Sequence, residues 1–227
     1  MRSSLRTLFL VAVFLLLLVS GAAAGVAIGP YVDLAGGGGE MEWDTNGNSW
    51  DNGGFSTNEW DVDAGSGAIG FVLDTAPTGP APFNYRLNVG LEAQTLEDDF
   101  GIEMNLGGLV VENVFGFAIM RKPNLRWWAG PLLRFGFYSG ETDTFYFLGD
   151  RTRTEADLFE LGVGAVTGVN IPIGKNKKVI LAPSAGVRFI GIGGEATVKN
   201  LDTGVEFTDD ISGGISMAFV NFALLFD

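Results

Sequence analysis

The sequence of 227 residues contains no cysteine and no histidine. Without cysteine, the chain has no disulfide framework, no thiolate metal site and no cysteine for lipid attachment. Without histidine, it lacks the side chain that most often exchanges protons near neutral pH. We therefore expect no metal site and no cofactor.

Long apolar runs are missing beyond residue 24, because charges or glycines interrupt every later apolar stretch. None of them reaches the ~20 residues that a helical membrane span needs. Glycine is plentiful instead, with 34 residues, which is about twice its usual share. So much glycine disfavours a helical protein and suits strands that twist around a narrow interior.

Positive charge is also scarce, since 14 Lys and Arg residues face 27 Asp and Glu residues. The formal net charge is therefore -13, and it becomes -15 if Arg2 and Arg6 are removed with a leader segment. A chain this acidic lacks the basic surface that polyanions require. We expect no nucleic-acid partner.

The N-terminus has the three-part layout of a secretory signal peptide. Arg2 and Arg6 flank a polar start, residues 8–19 are apolar, and Ala22, Ala23 and Ala24 provide a small-residue cleavage site. We predict a cleaved signal peptide at residues 1–24, followed by one domain at residues 25–227.

Strict alternation from Phe83 to Thr95 is the strongest structural signal. Apolar residues occupy nearly every odd position, while Asn84, Arg86 and Glu92 are among the even ones. A strand with this pattern has one apolar face and one charged face. Recurrence of the pattern after a secretion signal predicts a transmembrane β-barrel with lipid outside and a polar lumen inside.

The remaining sequence predicts an all-β, antiparallel up-and-down barrel, with eight strands as the first choice. Ten strands are the alternative, if the first or third loop contains a hairpin. A long first loop is predicted at residues 36–59, a third at 141–154 and a fourth at 196–209. The predicted strands cover residues 26–35, 60–73, 83–95, 100–120, 125–138, 159–171, 179–195 and 211–226.

The fourth predicted strand is the hardest to assign. Its first part places Met104 and Leu106 outward and Glu103 and Asn105 inward. The alternation becomes unclear near Leu109, where we predict a β-bulge that re-aims the pleat.

The C-terminal segment carries a family resemblance. Phe222, Leu224 and Phe226 alternate in a final apolar strand, followed by Asp227. Together with the signal peptide and about eight amphipathic strands, this segment resembles the small outer-membrane β-barrel proteins of Gram-negative bacteria, the OmpA/OmpX-like and opacity-protein-like superfamily. In that family the barrel assembly machinery reads the final strand, which usually ends on the aromatic residue rather than on an aspartate.

The resemblance implies a location in the cell outer membrane, in contact with membrane lipid and lipopolysaccharide. Outer-membrane barrels have short periplasmic turns and longer extracellular loops. Residues 74–82, 121–124 and 174–178 form the shorter set here. We therefore expect these turns and both chain termini on the periplasmic side.

Seven charged residues are predicted to face the lumen. Acids and bases in a narrow, partly dry interior should pair, because unpaired charges there are costly. A salt-bridged plug is the preferred interpretation, since the interior of an eight-stranded barrel is just wide enough for side chains. The alternatives are a narrow pore gated by these pairs and an acid–base pair formed by Glu92 and Glu103. The predicted network comprises Arg86, Glu92, Glu103, Arg126, Arg134, Glu160 and Arg188.

The predicted extracellular loops combine acids with aromatic residues. Carboxylates of the first loop are of the kind that can bind Ca²⁺, but no known calcium-loop spacing is present, so no specific metal site is predicted. The interleaved aromatic residues favour a surface-recognition role, for which the extracellular ligand is unknown. The acids are Glu40, Glu42, Asp44, Asp51, Glu59, Asp61 and Asp63, and the aromatic residues are Trp43, Trp50, Phe55, Phe145, Tyr146 and Phe147.

Two functions of different classes remain open. One is a non-enzymatic barrel with a structural or surface-interaction role, and the other is a narrow channel for ions or small solutes. An enzyme is not expected, because the known enzymes with outer-membrane barrels depend on a histidine. A soluble lipocalin-like barrel would need an apolar lumen and a charged exterior, and the overall hydropathy and the final strand disfavour it.

Overall fold

The computed structural model describes residues 25–44, 59–147, 149–174, 176 and 178–226. The predicted signal peptide at residues 1–24 lies outside the described residues, as do Trp50, Asp51 and Phe55. No helix in the described part of the chain has the length and hydropathy of a membrane span.

The described chain consists almost entirely of strands, which we number in chain order. Eight of them are long, and β6 is a short strand of three residues. The strands are β1 (Ala27–Asp44), β2 (Glu59–Asp74), β3 (Phe83–Asp98), β4 (Glu103–Lys122), β5 (Leu125–Thr142), β6 (Phe145–Phe147), β7 (Asp150–Ile173), β8 (Val179–Asn200) and β9 (Glu206–Phe226).

The eight long strands form one closed antiparallel ring. Each strand pairs with its neighbour in the sequence, β9 returns to β1, and β5 pairs with β7. β6 pairs only with the start of β7, as a small hairpin within the predicted third loop. The prediction of an eight-stranded up-and-down barrel is confirmed, and β6 does not add a strand to the wall.

The strand register sets the tilt of the barrel. A path followed from partner to partner around the ring starts at Leu34 and returns to β1 at Asp44, ten residues further along the strand. With eight strands and ordinary strand spacing, this stagger corresponds to a tilt of about 40°. At that tilt the lumen is narrow enough for side chains to fill it.

The outer face carries a broad apolar belt around the part of the barrel nearer to the short turns. We call this part the lower part, and the part nearer to the longer loops the upper part. Every strand of the wall contributes exposed large apolar side chains, while the alternate positions face the lumen. Examples from each strand in turn are Val32, Phe71, Leu91, Phe117, Phe135, Leu161, Phe189 and Phe222.

Above the belt the polarity of the two faces is reversed. Outward positions there are acidic or polar, including Asp61, Glu97 and Asp157. Inward positions are apolar and form a buried cluster to which Leu106 and Ile192 belong. The strands thus rise out of the membrane, and water rather than lipid surrounds their upper ends.

This reversal overturns the prediction for the fourth strand. Glu103 and Asn105 are exposed, whereas Leu106 is buried in the upper cluster. No bulge occurs at Leu109, and the register of β4 with β5 shifts only between Ala118 and Met120. The alternation becomes unclear near Leu109 because one continuous strand passes there from water into the apolar belt, and not because its pleat changes direction.

The predicted first and fourth loops are also shorter than expected. Residues 36–44 belong to β1, where residues 36–42 pair with both β2 and β9 and residues 43–44 pair with β9. β8 and β9 continue to Asn200 and Glu206, which leaves a tight turn at residues 201–205. The polar residues in these segments belong to strands whose outer face contacts water, and not to irregular loops.

Candidate functional site

Arg134 lies at the centre of a buried ion network in the middle of the lumen. Its guanidinium group contacts three carboxylates, at 2.7 Å from Glu92, 3.1 Å from Glu112 and 3.3 Å from Glu160. It also donates to the hydroxyl of Tyr138 at 2.7 Å. These side chains come from three neighbouring strands and from β7, and all five are buried. β3, β4, β5 and β7 are therefore linked through one cation.

Arg188 extends this network to the opposite wall. Its Nη1 donates to Glu112 Oε1 at 2.9 Å, and its Nη2 donates to Ser66 Oγ at 3.2 Å. The same Nη2 lies 3.2 Å from Asp33 Oδ1, as an ion pair without hydrogen-bond geometry. The face of the guanidinium group lies 5.1 Å from the centre of the Phe219 ring. Since Glu112 contacts both arginines, the network crosses the full width of the lumen.

A second ion pair lies nearer to the end with the short turns. Arg86 Nη2 contacts Asp74 Oδ2 at 3.0 Å and donates to Asn170 Oδ1 at 3.1 Å. Its guanidinium group is 4.6 Å from the centre of the Trp128 ring, which donates to the same Asn170 oxygen at 3.1 Å. This lower layer closes the lumen beneath the network of Arg134.

The predicted network is assembled with two exceptions. Six of the seven predicted residues are buried in the lumen, and five of those six form ion pairs. Arg126 is buried, but its hydrogen bond is to Asn84 Oδ1 at 3.3 Å, with no ion pair among the described residues. Glu103 is exposed on the outer face opposite Glu97. The prediction that Glu103 faces the lumen is wrong. The alternative of an acid–base pair is wrong as well, because Glu92 is buried and Glu103 is on the outer face.

Sequence reasoning missed three buried acids, Asp33, Asp74 and Glu112. Asp33 lies between outward Val32 and Leu34, so the alternation already indicated an inward position. Asp74 was assigned to a turn, although it is the last residue of β2. Glu112 was missed because the predicted bulge at Leu109 obscured the phase of the strand.

Lumen-facing glycines make room for the large side chains that fill the barrel. A Cβ atom at Gly168 would lie 2.6 Å from Trp128, and one at Gly108 would lie 2.5 Å from Tyr138. Trp128 and Tyr138 therefore pack against strands that have no side chain at the contact. The many glycines indicate filling of the lumen rather than empty space.

An apolar layer covers the ion network from above. Met41, Leu96, Leu158, Ile190 and Met217 belong to this cluster and are each at most 5% exposed. The ion network is thus enclosed between this layer and the lower layer of Arg86 and Trp128.

A buried polar lumen inside an apolar belt is the reverse of a soluble barrel, and it is the arrangement that lipid requires. The chain is a membrane β-barrel of the outer-membrane type. The sequence matches no protein-family model and no curated protein.

The solved structures that are similar to this barrel include two outer membrane proteins. The outer membrane protein OprG from Pseudomonas aeruginosa has 10% identity and a TM-score of 0.44, with 89% of this chain and 98% of that chain covered. A major outer membrane protein from Thermus thermophilus has 12% identity and a TM-score of 0.44, with 88% of this chain and 100% of that chain covered. The assignment of the architecture rests on the strand pairing and face polarity of this chain.

The aromatic residues predicted for recognition are only partly described. Phe145 is half-buried and Tyr146 is 76% exposed in β6. Trp43 and Phe147 lie in β1 and β6, where the structure describes their backbone pairing. Among the described residues, no group of three or more acidic side chains could hold a metal ion.

The final strand presents the predicted assembly residues to the membrane. Phe222, Leu224 and Phe226 are exposed on the outer face of β9, while Asn221 and Leu225 face the lumen. Exposed and buried residues therefore alternate along the end of β9, as predicted, and the three exposed side chains belong to the apolar belt.

Proposed function

We propose that this protein is a non-enzymatic barrel of the cell outer membrane, with a closed lumen and a structural or surface-interaction role. The observation that carries this proposal is the enclosure of the ion network of Arg134 and Arg188 between two further layers of side chains. The side chain of Arg134 is only 1% exposed, which supports a closed lumen.

Closure of the lumen is supported by two different kinds of contact. The ion pairs are held by charge, whereas the upper cluster is held by apolar burial. Breaking one ion pair leaves the apolar layer in place. A gate that depends on the charges alone would therefore not open a continuous path.

The surface role is supported by the part of the barrel above the belt. There the hairpin of β8 and β9 is tied to β7, since Arg151 contacts Asp202 at 2.8 Å and accepts the Leu201 amide at its carbonyl. Tyr146 and Phe207 are exposed in the same part of the barrel. This part offers aromatic and acidic side chains to an extracellular partner.

The membrane partners follow from the apolar belt and the final strand. Lipid and lipopolysaccharide would contact the belt, and the barrel assembly machinery would read Phe222, Leu224 and Phe226. The absence of histidine and the separation of Glu92 from Glu103 support the proposal that the chain is not an enzyme.

A narrow channel for ions or small solutes is the second candidate. The observation that favours it is the excess of buried acid in the middle layer, where Asp33, Glu92, Glu112 and Glu160 face only Arg134 and Arg188. Such an excess would attract cations if the layers above and below moved apart.

Single-channel conductance of the refolded protein in a planar bilayer separates the two functions. We expect a silent bilayer for the unaltered chain and for both Arg86→Ala and Glu92→Ala. Arg153→Ala is the matched control, because its ion pair with Glu141 is exposed. Heat-modifiable gel mobility establishes that each protein is folded. Reproducible steps that change in Glu92→Ala but not in Arg153→Ala would overturn the closed lumen and support the channel.

A further inference from the structure

Arg126 is a buried cation whose hydrogen-bonding capacity is mostly unused. It is the second residue of β5, faces the lumen and is 2% exposed. Its Nη2 donates to Asn84 Oδ1 at 3.3 Å. Within the described residues, its Nε and Nη1 have no hydrogen-bond partner. Most of the N–H donors of the guanidinium group are therefore free.

Asp74 is the carboxylate that could neutralise Arg126, but other donors occupy it. Its Oδ2 accepts from Arg86 at 3.0 Å and from Asn84 at 3.2 Å. Its Oδ1 accepts from the Ala76 amide at 3.0 Å and from Asn84 at 3.3 Å. Asp74 is thus committed to Arg86 and to the turn that follows β2.

Among the described residues, the lower layer consequently carries one positive charge without a counter-charge. Two buried guanidinium groups, Arg86 and Arg126, face the single carboxylate Asp74. Arg86 Nη1 also lacks a partner among the described residues. Arginine does not give up its proton in proteins, so the charge cannot be removed by titration. A buried charge without a counter-charge is costly.

The surrounding rim increases the positive potential. Arg121 pairs with Arg126 in the register of β4 and β5, and Lys122 is the last residue of β4. Both are exposed, as is Lys178 of the neighbouring turn. Positive groups around a mouth with low-dielectric walls raise the local concentration of anions.

We propose that this mouth of the lumen binds a phosphate-type oxyanion at Arg126 and Arg86. A tetrahedral oxyanion offers several acceptor oxygens, which match the several free donors on the two guanidinium groups. The same chemistry is available from inorganic phosphate and from a phospholipid headgroup of the adjacent leaflet. The buried acids around Arg134 stop the anion at the mouth, because like charges repel it from the middle layer.

The test uses the refolded full chain in a non-ionic detergent without phosphate. The first probe is inorganic phosphate, followed by its ³¹P line width at fixed ionic strength. The second probe is the soluble phospholipid dihexanoyl phosphatidylglycerol, followed in the same way. The variants are Arg126→Gln and the control Arg153→Gln, whose side chain is exposed above the belt.

We expect at least one probe to bind the unaltered chain and Arg153→Gln, and to bind Arg126→Gln at least about tenfold more weakly. Broadening of the inorganic phosphate signal identifies the free ion as the ligand, and broadening of the lipid signal alone identifies the headgroup. Failure of both probes, or equal binding to both variants, overturns the site.

A measurement on the unaltered chain keeps the test independent of folding in Arg126→Gln. Crystals grown without phosphate are soaked in tungstate, a tetrahedral oxyanion with a strong anomalous signal. We expect an anomalous peak within hydrogen-bond distance of Arg126. A map with no peak there would contradict the proposal even if the variant cannot be refolded.

Discussion

At the scale of single residues, Arg134 holds together more buried charge than any other described side chain. Its positive charge contacts Glu92, Glu112 and Glu160 and offsets the repulsion among their three carboxylates. Removing such a cation leaves buried acids without compensation, which costs more than the net worth of any one ion pair.

Arg134→Ala is therefore expected to lower the free energy of unfolding by about 3–5 kcal/mol. Arg153→Ala, which removes an exposed ion pair with Glu141, is expected to cost less than about 1 kcal/mol. Urea unfolding in lipid vesicles, followed by tryptophan fluorescence, measures both. Equal losses in the two variants would mean that the buried network contributes no more than a surface pair.

Asp202 provides a pH-dependent contact at the end of the barrel above the belt. Hydrogen bonds from the Arg151 side chain, and then from its backbone N–H, hold the pKa of Asp202 below its ordinary value. The folded state therefore favours the ionised carboxylate. Its stabilising effect is present above the unfolded pKa of about 3.9 and is lost as the pH falls through the lower folded pKa.

A carboxyl ¹³C titration by NMR should place the midpoint of Asp202 below about 3.9. In Arg151→Gln the midpoint should move up towards that value, because the donors of the side chain are weakened. A midpoint unchanged by the substitution would show that Arg151 is not the cause of the shift.

At the scale of the strand, glycine has opposite roles on the two faces of β4. Gly108 faces the lumen, where a Cβ atom would collide with the Phe137 carbonyl and lie 2.5 Å from Tyr138. Its neighbour Gly107 faces outward, where a Cβ atom would meet nothing within 4 Å. The two positions differ in packing but share the same strand and the same level of the barrel.

Gly108→Ala should destabilise the barrel by about 1–3 kcal/mol through overpacking. Gly107→Ala should be neutral or stabilise it by up to about 1 kcal/mol, because alanine loses less backbone entropy on folding. Urea midpoints measured side by side provide the comparison. A larger loss in Gly107→Ala would contradict the assignment of faces in β4.

At the strand scale, the period-two pattern of the sequence assigned the faces of some strands correctly and failed in one segment. Period-two alternation correctly assigned the faces of β3, β5 and β7, because each has a long segment inside the membrane. It failed at the start of β4, where Met104 and Leu106 face inward above the belt. Alternation separates two faces of a strand, but which face is apolar depends on whether lipid or water surrounds that level.

At the scale of the whole molecule, exposed acids are concentrated towards one end of the barrel axis, where exposed Arg151 also lies. Exposed acids such as Glu42, Asp61 and Glu195 lie above the belt. Exposed Arg121, Lys122 and Lys178 lie at the opposite end, next to the short turns. The loop lengths predict that the short turns lie on the periplasmic side.

Single cysteines test this orientation cleanly, since the chain has none of its own. Thr203→Cys in the turn between β8 and β9 should react with a membrane-impermeant maleimide on intact cells. Lys122→Cys should react only after the outer membrane is permeabilised, because the barrel holds it on the inner side. The reverse pattern of labelling would invert the proposed topology.

The sequence by itself determined the barrel and most of its membrane-facing side chains, and it favoured eight strands with ten left open. Alternation is a local property of each strand, and closure follows because lipid offers no partner to an open strand edge. The identity of most lumen-facing charges, such as Arg134 and Glu160, came from the same local rule.

Only the tertiary structure decided which of those charges meet. Arg134 reaches Glu112, and Arg188 reaches the same carboxylate from across the lumen, through contacts that the stagger of the strands sets up. The reversal of polarity above the belt and the uncompensated charge of Arg126 likewise depend on the position of a residue along the barrel axis and on the side chains that other strands place beside it. Both are properties of the closed barrel and cannot be read from a single strand.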